Sequence, residues 1–237
     1  LNEVFKGDEL KGDELKGEVN INAINITRPK PITDCLSAIK KLRLTLSPLN
    51  KLVKIAEILS REIGTDGENG TPILASSNKD IVLAAVKQDG VMLRYAEENL
   101  RKDREIVLAA VQQKGEVLRY APEELQNDRE IVLAALQQDS WSLKFASPLL
   151  KDDTKFMLTA VQKKGMALEF ASDELKNNPA IVLAAVKQNG LLLLYASLEL
   201  KNDYKIVLEA VKQNGLALQY ASPELSSERA IVLAAVK

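Results

Sequence analysis

Histidine is absent from this 237-residue chain. That removes Ser-His-Asp and Cys-His catalysis, histidine general bases and nearly all ordinary zinc sites. The single cysteine, Cys35, can form no intramolecular disulfide, which fits a reducing compartment. Neither charge sign dominates: 32 Lys and Arg face 33 Asp and Glu, a net charge of −1. No bulk attraction to nucleic acid or to an anionic membrane follows, and any basic patch has to be local. Aromatic residues make up only 4% of the chain, with one tryptophan, Trp141. There is no run of about 18 apolar residues, so no membrane span is indicated, and no secretory signal pattern. A glycine-rich phosphate loop of the GxxxxGK type is also missing. Carboxylate pairs such as Glu123-Glu124 fall in short turns and read as solvated. No catalytic residue, metal or cofactor is expected. The chain begins at Leu1 without methionine and stops at Lys237 inside an expected helix, so a fragment of a longer protein is the expectation.

What the chain does have is self-similarity. The strings IVLAAVKQDG from Ile81, IVLAAVQQKG from Ile106, IVLAALQQDS from Ile131, FMLTAVQKKG from Phe156, IVLAAVKQNG from Ile181 and IVLEAVKQNG from Ile206 recur every 25 residues without an insertion, and a truncated copy follows from Ile231. Each unit opens with Asn78, Asp103, Asp128, Asp153, Asn178, Asp203 or Glu228, and all but the glutamate are favoured N-caps. A helix of about ten residues follows, apolar nearly all round and so suited to being sandwiched between neighbouring units. Gly90, Gly115, Gly165, Gly190 and Gly215 come next, where a left-handed C-terminal cap is expected; Ser140 is the exception. A shorter second helix, such as Leu216–Ala221, then leads into a cap and single turn such as Ser222-Pro223-Glu224-Leu225. Helices this short are marginal alone in water and need their neighbours. The rings at Tyr95, Tyr120, Phe145, Phe170, Tyr195 and Tyr220 read as core, one per unit. The fold class is therefore all-α: an α-solenoid, or superhelix, of two-helix 25-residue repeats over residues 76–237.

The pattern LKND-x-x-IVLAAVKQNG-x-AL-x-YAS-x-EL resembles the repeat known as domain of unknown function 4116, from roughly Ala75 onwards, and closely in every copy. The resemblance implies a short-helix solenoid. It also implies a setting in large bacterial proteins, some of them effectors delivered to a host cell, so the location is either cytoplasmic or inside a host. It brings no catalytic residue set.

Residues 1–31 contain the direct repeat of Lys6-Gly7-Asp8-Glu9-Leu10 at Lys11–Leu15 and read as a low-complexity linker. Residues 32–75 read as a helical hairpin that caps the array. Thr33 would cap a helix carrying Leu36, Ile39, Leu42 and Leu46, and Ser47-Pro48 would start a second with an apolar stripe at Leu49, Leu52, Val53, Ala56, Leu59 and Ile63. Gly64 would end that helix before a loop to Gly70. Ser47-Pro48 with Lys51-Leu52 is similar to a helical segment of VPS9 domains, which exchange nucleotide on Rab-type GTPases, and Asp66 and Pro72 can be aligned. Ala75 and Ser76 stand where that family has a tyrosine.

In a solenoid the packing positions repeat and the partner-facing positions vary. Two variable columns lie three residues apart, a spacing that shares a helix face. One is Arg94, Arg119, Lys144, Glu169, Leu194 and Gln219; the other is Val91, Glu116, Trp141, Met166, Leu191 and Leu216. They form a strip, basic in its first half and mainly apolar in its second, with Trp141 at its centre. Tryptophan and arginine are common interface anchors. The alternative is a solvated charged face with a tryptophan filling a packing gap. A further column, Gln88, Gln113, Gln138, Lys163, Gln188 and Gln213, can form a polar ladder between units. Three cations on a near-neutral chain argue against nucleic acid as partner. The expected function is a non-catalytic module that binds a protein partner; nucleotide exchange through the N-terminal region and a structural spacer are the alternatives.

Overall fold

Each 25-residue unit opens on a side chain that caps its own first helix. In the computed structural model, which describes residues 32–41, 54–55, 57–58, 62–65 and 72–236, the carboxylate or amide oxygen of Asn78, Asp103, Asp128, Asp153, Asn178 and Asp203 accepts from the amide three residues on. Glu228 makes no such bond. Ten-residue helices follow at Lys79–Gln88, Arg104–Gln113, Arg129–Gln138, Thr154–Lys163, Pro179–Gln188 and Tyr204–Gln213. Most of the apolar run buries completely, as Ile106, Val107, Ala110 and Val111 show in the second unit, because neighbouring units cover it on both sides, while Leu108 and Ala109 stay half-buried.

One extended residue then turns the chain into a six-residue 3-10 helix, as at Gly90–Tyr95 and Gly115–Tyr120. The second helix of the unit is therefore not α, and its i and i+3 side chains eclipse instead of stepping round. A single turn closes each unit; in several of them a serine such as Ser172 or Ser222 caps it through the amide of Leu175 or Leu225.

The expected left-handed glycine cap does not form. Asp89, which follows the first helix, is extended at φ −149° and ψ 115°, and none of the five glycines of the array has a positive φ. Close approach is what requires them. A Cβ on Gly90 would sit 2.4 Å from the carbonyl oxygen of Ala110 in the next unit, one on Gly115 2.4 Å from that of Ala135, and one on Gly190 2.1 Å from that of Ala210. The 3-10 helix of one unit thus rests on the backbone of the next unit's first helix.

The fourth unit sits differently. Ser140 carries a Cβ in this slot, so the next helix must stand off, and the first helices of units three and four touch less than the other neighbouring pairs. Phe156 and Met157, larger than the Ile-Val pair of the other units, fill the room and are buried. Between units four and five the gap takes the side chain of Gln188. Its Oε1 accepts from Gly165 N at 2.8 Å and its Nε2 donates to Val161 O at 2.6 Å. Gln213 donates to Lys187 O at 3.1 Å, so these two members of the glutamine column do bridge units.

A serine ladder joins the closing turns. Ser147, Ser172, Ser197 and Ser222 donate their hydroxyls to Asn127, Asp152, Asn177 and Asn202 of the preceding unit at 2.6–2.7 Å, and their amides to the carbonyls of Gln126, Lys151, Lys176 and Lys201.

At the N-terminal end a helix at Ile32–Lys41 packs on Lys79–Gln88, with Ile39 and Ile55 buried. Thr33 lies inside this helix and not at its cap. Residues 54–55 and 57–58 are helical, but the helix does not reach Ile63: Glu62–Thr65 is a strand paired antiparallel with Pro72–Leu74, through Glu62 with Leu74 and Thr65 with Pro72. β-branched Ile63 and the Pro72-Ile73 edge suit a short ladder better than a helix end. The expected linker 1–31, Leu42, Leu46, the 47–53 segment, Ala56, Leu59 and the loop 66–70 lie outside the described residues. Among the described residues no helix is long and apolar enough to cross a membrane.

Gly190→Ala is expected to lower stability by about 1–3 kcal/mol, the usual range for overpacking. Gly165→Ala, whose Cβ would first meet the movable Leu192 Cδ1 at 2.7 Å, is expected to do clearly less. Urea unfolding followed by circular dichroism checks this, and equal losses would show that the carbonyl approach does not set the spacing.

Candidate functional site

The 3-10 helices pack side by side along the array and make a continuous face. In most of them the first, third and fourth residues are buried, as Gly115, Val117 and Leu118 are. Positions two, five and six are left for the surface. Positions two and five are the two variable columns, and the 3-10 geometry stacks them over one another, so the structure brings the expected strip together.

Arg94, Arg119 and Lys144 are exposed. So is Trp141, at 56%, with its backbone amide held by Asp139 at 3.0 Å. Its ring stands edge-on to Phe170 of the next unit at 5.7 Å, across the looser third junction. Leu194 and Leu216 are exposed at 44% and 68%, while Met166, Leu191 and Glu169 are half-buried. One oxygen of Glu169, Oε2, is buried without a hydrogen-bond partner. Burial, and then the negative charge of Glu169, push the Tyr195 hydroxyl up from its ordinary range. The first half of the strip is thus cationic and the second apolar around one carboxylate.

The six rings at position six are not core. Tyr95 is 43% exposed and the other five are half-buried, packed against the core on one side only. A ring at the end of a 3-10 helix reaches the edge of a unit, where the next unit covers only half of it. The exposed half is used by the cations. The Arg94 guanidinium lies 5.7 Å from the Tyr95 centroid, and Arg119 lies 5.6 Å from Tyr120 and 5.5 Å from Phe145 of the following unit. Lys151 donates to the Lys144 carbonyl at 2.8 Å, tying the closing turn to the strip; burial pushes its ammonium down.

A second line of charge runs along the N-termini of the first helices, and sequence reasoning missed it. Lys79 reaches Asp103 at 2.8 Å and Glu105 at 2.9 Å; Arg104 reaches Asp128 at 2.8 Å and also Glu130; Arg129 reaches Asp153. The signal was present as a basic residue at the first helical position with a capping aspartate 24 residues later. The line stops where Thr154, Pro179 and Tyr204 replace the cation. Burial pushes the Asp103 carboxyl up, but the Lys79 ammonium and the amides of Ile106 and Glu105 outweigh it and hold the group below its usual range. Asp128 is held low in the same way by Arg104. No carboxylate pairs with Arg94, Arg119 or Lys144 among the described residues. Glu116, three residues from Arg119, pairs instead with Lys114 at 3.0 Å.

Among the described residues no cluster of three or more carboxylates or thiols could hold a metal ion. The 47–76 segment of the VPS9 resemblance is only partly described; what is described has Ile63 in a strand and Ala75 buried in a short 3-10 turn.

A family model described as Domain of unknown function (DUF4116) matches residues 78–126, 104–151, 128–176, 153–201, 178–226 and 203–237, so successive matches overlap and step by about one unit. No curated protein matches the chain, and no solved structure matches it.

Because the Asp103 and Asp128 carboxyls titrate lower folded than unfolded, the unfolded chain takes up more protons as pH falls below about 5, and stability is lost on the acid side. The double variant Asp103→Asn, Asp128→Asn keeps a capping oxygen but no charge. Its urea midpoint is expected to be lower at pH 7 and to fall less steeply between pH 5 and about pH 2. An unchanged acid slope would remove the ladder from the account.

Proposed function

Since this chain belongs to the DUF4116 repeat family, a premise that brings fold but no chemistry, we propose that it is a non-catalytic helical-repeat module that binds a protein partner along the strip of its 3-10 helices. One observation carries the reading: among the described residues the strip cations have no carboxylate partner and Arg94 and Arg119 lie against aromatic rings, whereas the cations of the helix N-termini are matched with carboxylates. A purely structural spacer gains nothing from uncompensated cations set on half-exposed rings. An interface does, because exposed aromatic and arginine side chains supply most of the binding energy in protein contacts. The half-exposed rings and Leu194 and Leu216 add an apolar complement.

The test compares the chain with a variant carrying Trp141→Ala, Arg94→Glu, Arg119→Glu and Lys144→Glu, after circular dichroism shows both are folded. All four positions are exposed, so the fold is expected to survive. In affinity capture from host-cell lysate, a protein held by the first and lost by the second supports the strip. Capture of the same set by both would remove the strip and favour a spacer.

A further inference from the structure

Resting on that reading, we propose that the cationic half of the strip binds an extended acidic peptide whose carboxylates recur at every third residue, one each for Arg94, Arg119 and Lys144.

The chemistry of the recognised group follows from how the cations are held. Arg119 lies against a ring of its own unit at 5.6 Å and one of the next at 5.5 Å, and Arg94 against Tyr95 at 5.7 Å. Aromatic contacts hold a guanidinium by its face and leave its N–H edge to solvent. A carboxylate accepts two parallel bonds from that edge, so a preorganised arginine gains affinity without freezing a long side chain. No carboxylate of the described chain takes up this position, although Glu116 stands three residues from Arg119.

Spacing selects the form of the ligand. Packed helices typically lie about 8–10 Å apart, and an interval of that order is expected from one cation to the next. A peptide in the polyproline II conformation rises about 3.1 Å per residue with three residues per turn, so every third side chain falls on one face about 9 Å further on. An α-helical ligand would advance only about 4.5 Å over the same three residues. The match is with an extended chain.

Acidic peptide fits better than nucleic acid. The closing turns beside the strip carry exposed Glu98, Glu123 and Glu124. A backbone charged at every unit would meet them; a peptide with neutral residues between its acids does not. Glu169 then marks the end of the acidic register, since it replaces the cation in the fourth unit. Trp141 and Met166 stand just before it.

Trp141 is the only tryptophan, so its emission reports on this face alone. The probe is a capped peptide of Glu-Pro-Pro triplets. The comparison peptide has the same composition with its glutamates contiguous, and an oligouridylate serves as the nucleic-acid arm. Saturable change in Trp141 emission, weakening with salt, is expected for the spaced peptide, with affinity about tenfold or more above that of the contiguous one. Arg119→Glu is expected to abolish it, and Arg119→Lys to weaken it severalfold, because the ammonium keeps the charge but loses the planar fork. Equal binding of the two peptides, no saturation at millimolar concentration, or tighter binding of the oligouridylate overturns the proposal. If the peptide fails while the strip variant still loses its captured protein, the acidic-peptide inference falls and the protein-binding reading stands. If capture is also indifferent to the strip, both fall.

Discussion

The approach of a glycine to the carbonyl oxygen of an alanine 20 residues later sets the spacing on which the rest of the array depends. At Gly90, Gly115 and Gly190 the missing Cβ lets the 3-10 helix of one unit lie on the next unit's first helix. That approach brings successive 3-10 helices alongside one another and aligns positions two and five into a strip. It also places the capping aspartate of one unit within reach of the cation at the head of the previous helix. Where the constraint is released, at Ser140, larger core residues and the Trp141–Phe170 ring contact occupy the space.

The solenoid was legible because a 25-residue period leaves few other ways to bury a continuous apolar helix. The caps were legible for a local reason: a side chain accepting from an amide three residues on needs only its own turn. The glycine positions were picked out in the sequence, but for the wrong cause. A glycine after a helix suggests positive φ, whereas the steric demand here comes from an atom in another unit, which no local pattern reports. The 3-10 character of the second helix was hidden for a related reason. The leucine three residues after each glycine fits either helix, and the six-residue length becomes decisive only once both ends are fixed by extended residues. Ile63 continued an apolar stripe at helical spacing, but pairing of Glu62–Thr65 with Pro72–Leu74 took it into a strand instead.

The two variable columns of the strip were found from variability and spacing alone, and the structure places them on one face. What could not be read was the state of the aromatic column. One ring per unit at constant register looks like core in sequence, yet a ring at the edge of a unit is covered on one side only. Its exposed half carries the cations of Arg94 and Arg119.

Polar satisfaction elsewhere in the array gives the strip its meaning. Serine hydroxyls meet amide or carboxylate oxygens of the preceding unit, capping aspartates meet helix amides and cations, and Gln188 fills its gap with bonds at both ends of its side chain. Among the described residues Arg94, Arg119 and Lys144 have no carboxylate partner, as is also true of exposed Lys87, Lys187 and Lys212; what sets the two arginines apart is the aromatic ring each lies against. Exposed pairs add little to stability, so leaving these unpaired costs the fold almost nothing. Pairing them would cost a binding face a great deal, because an incoming anion would first have to displace the internal one. The row without carboxylates is therefore compatible with folding whatever its use, and it leaves its charge available to a partner.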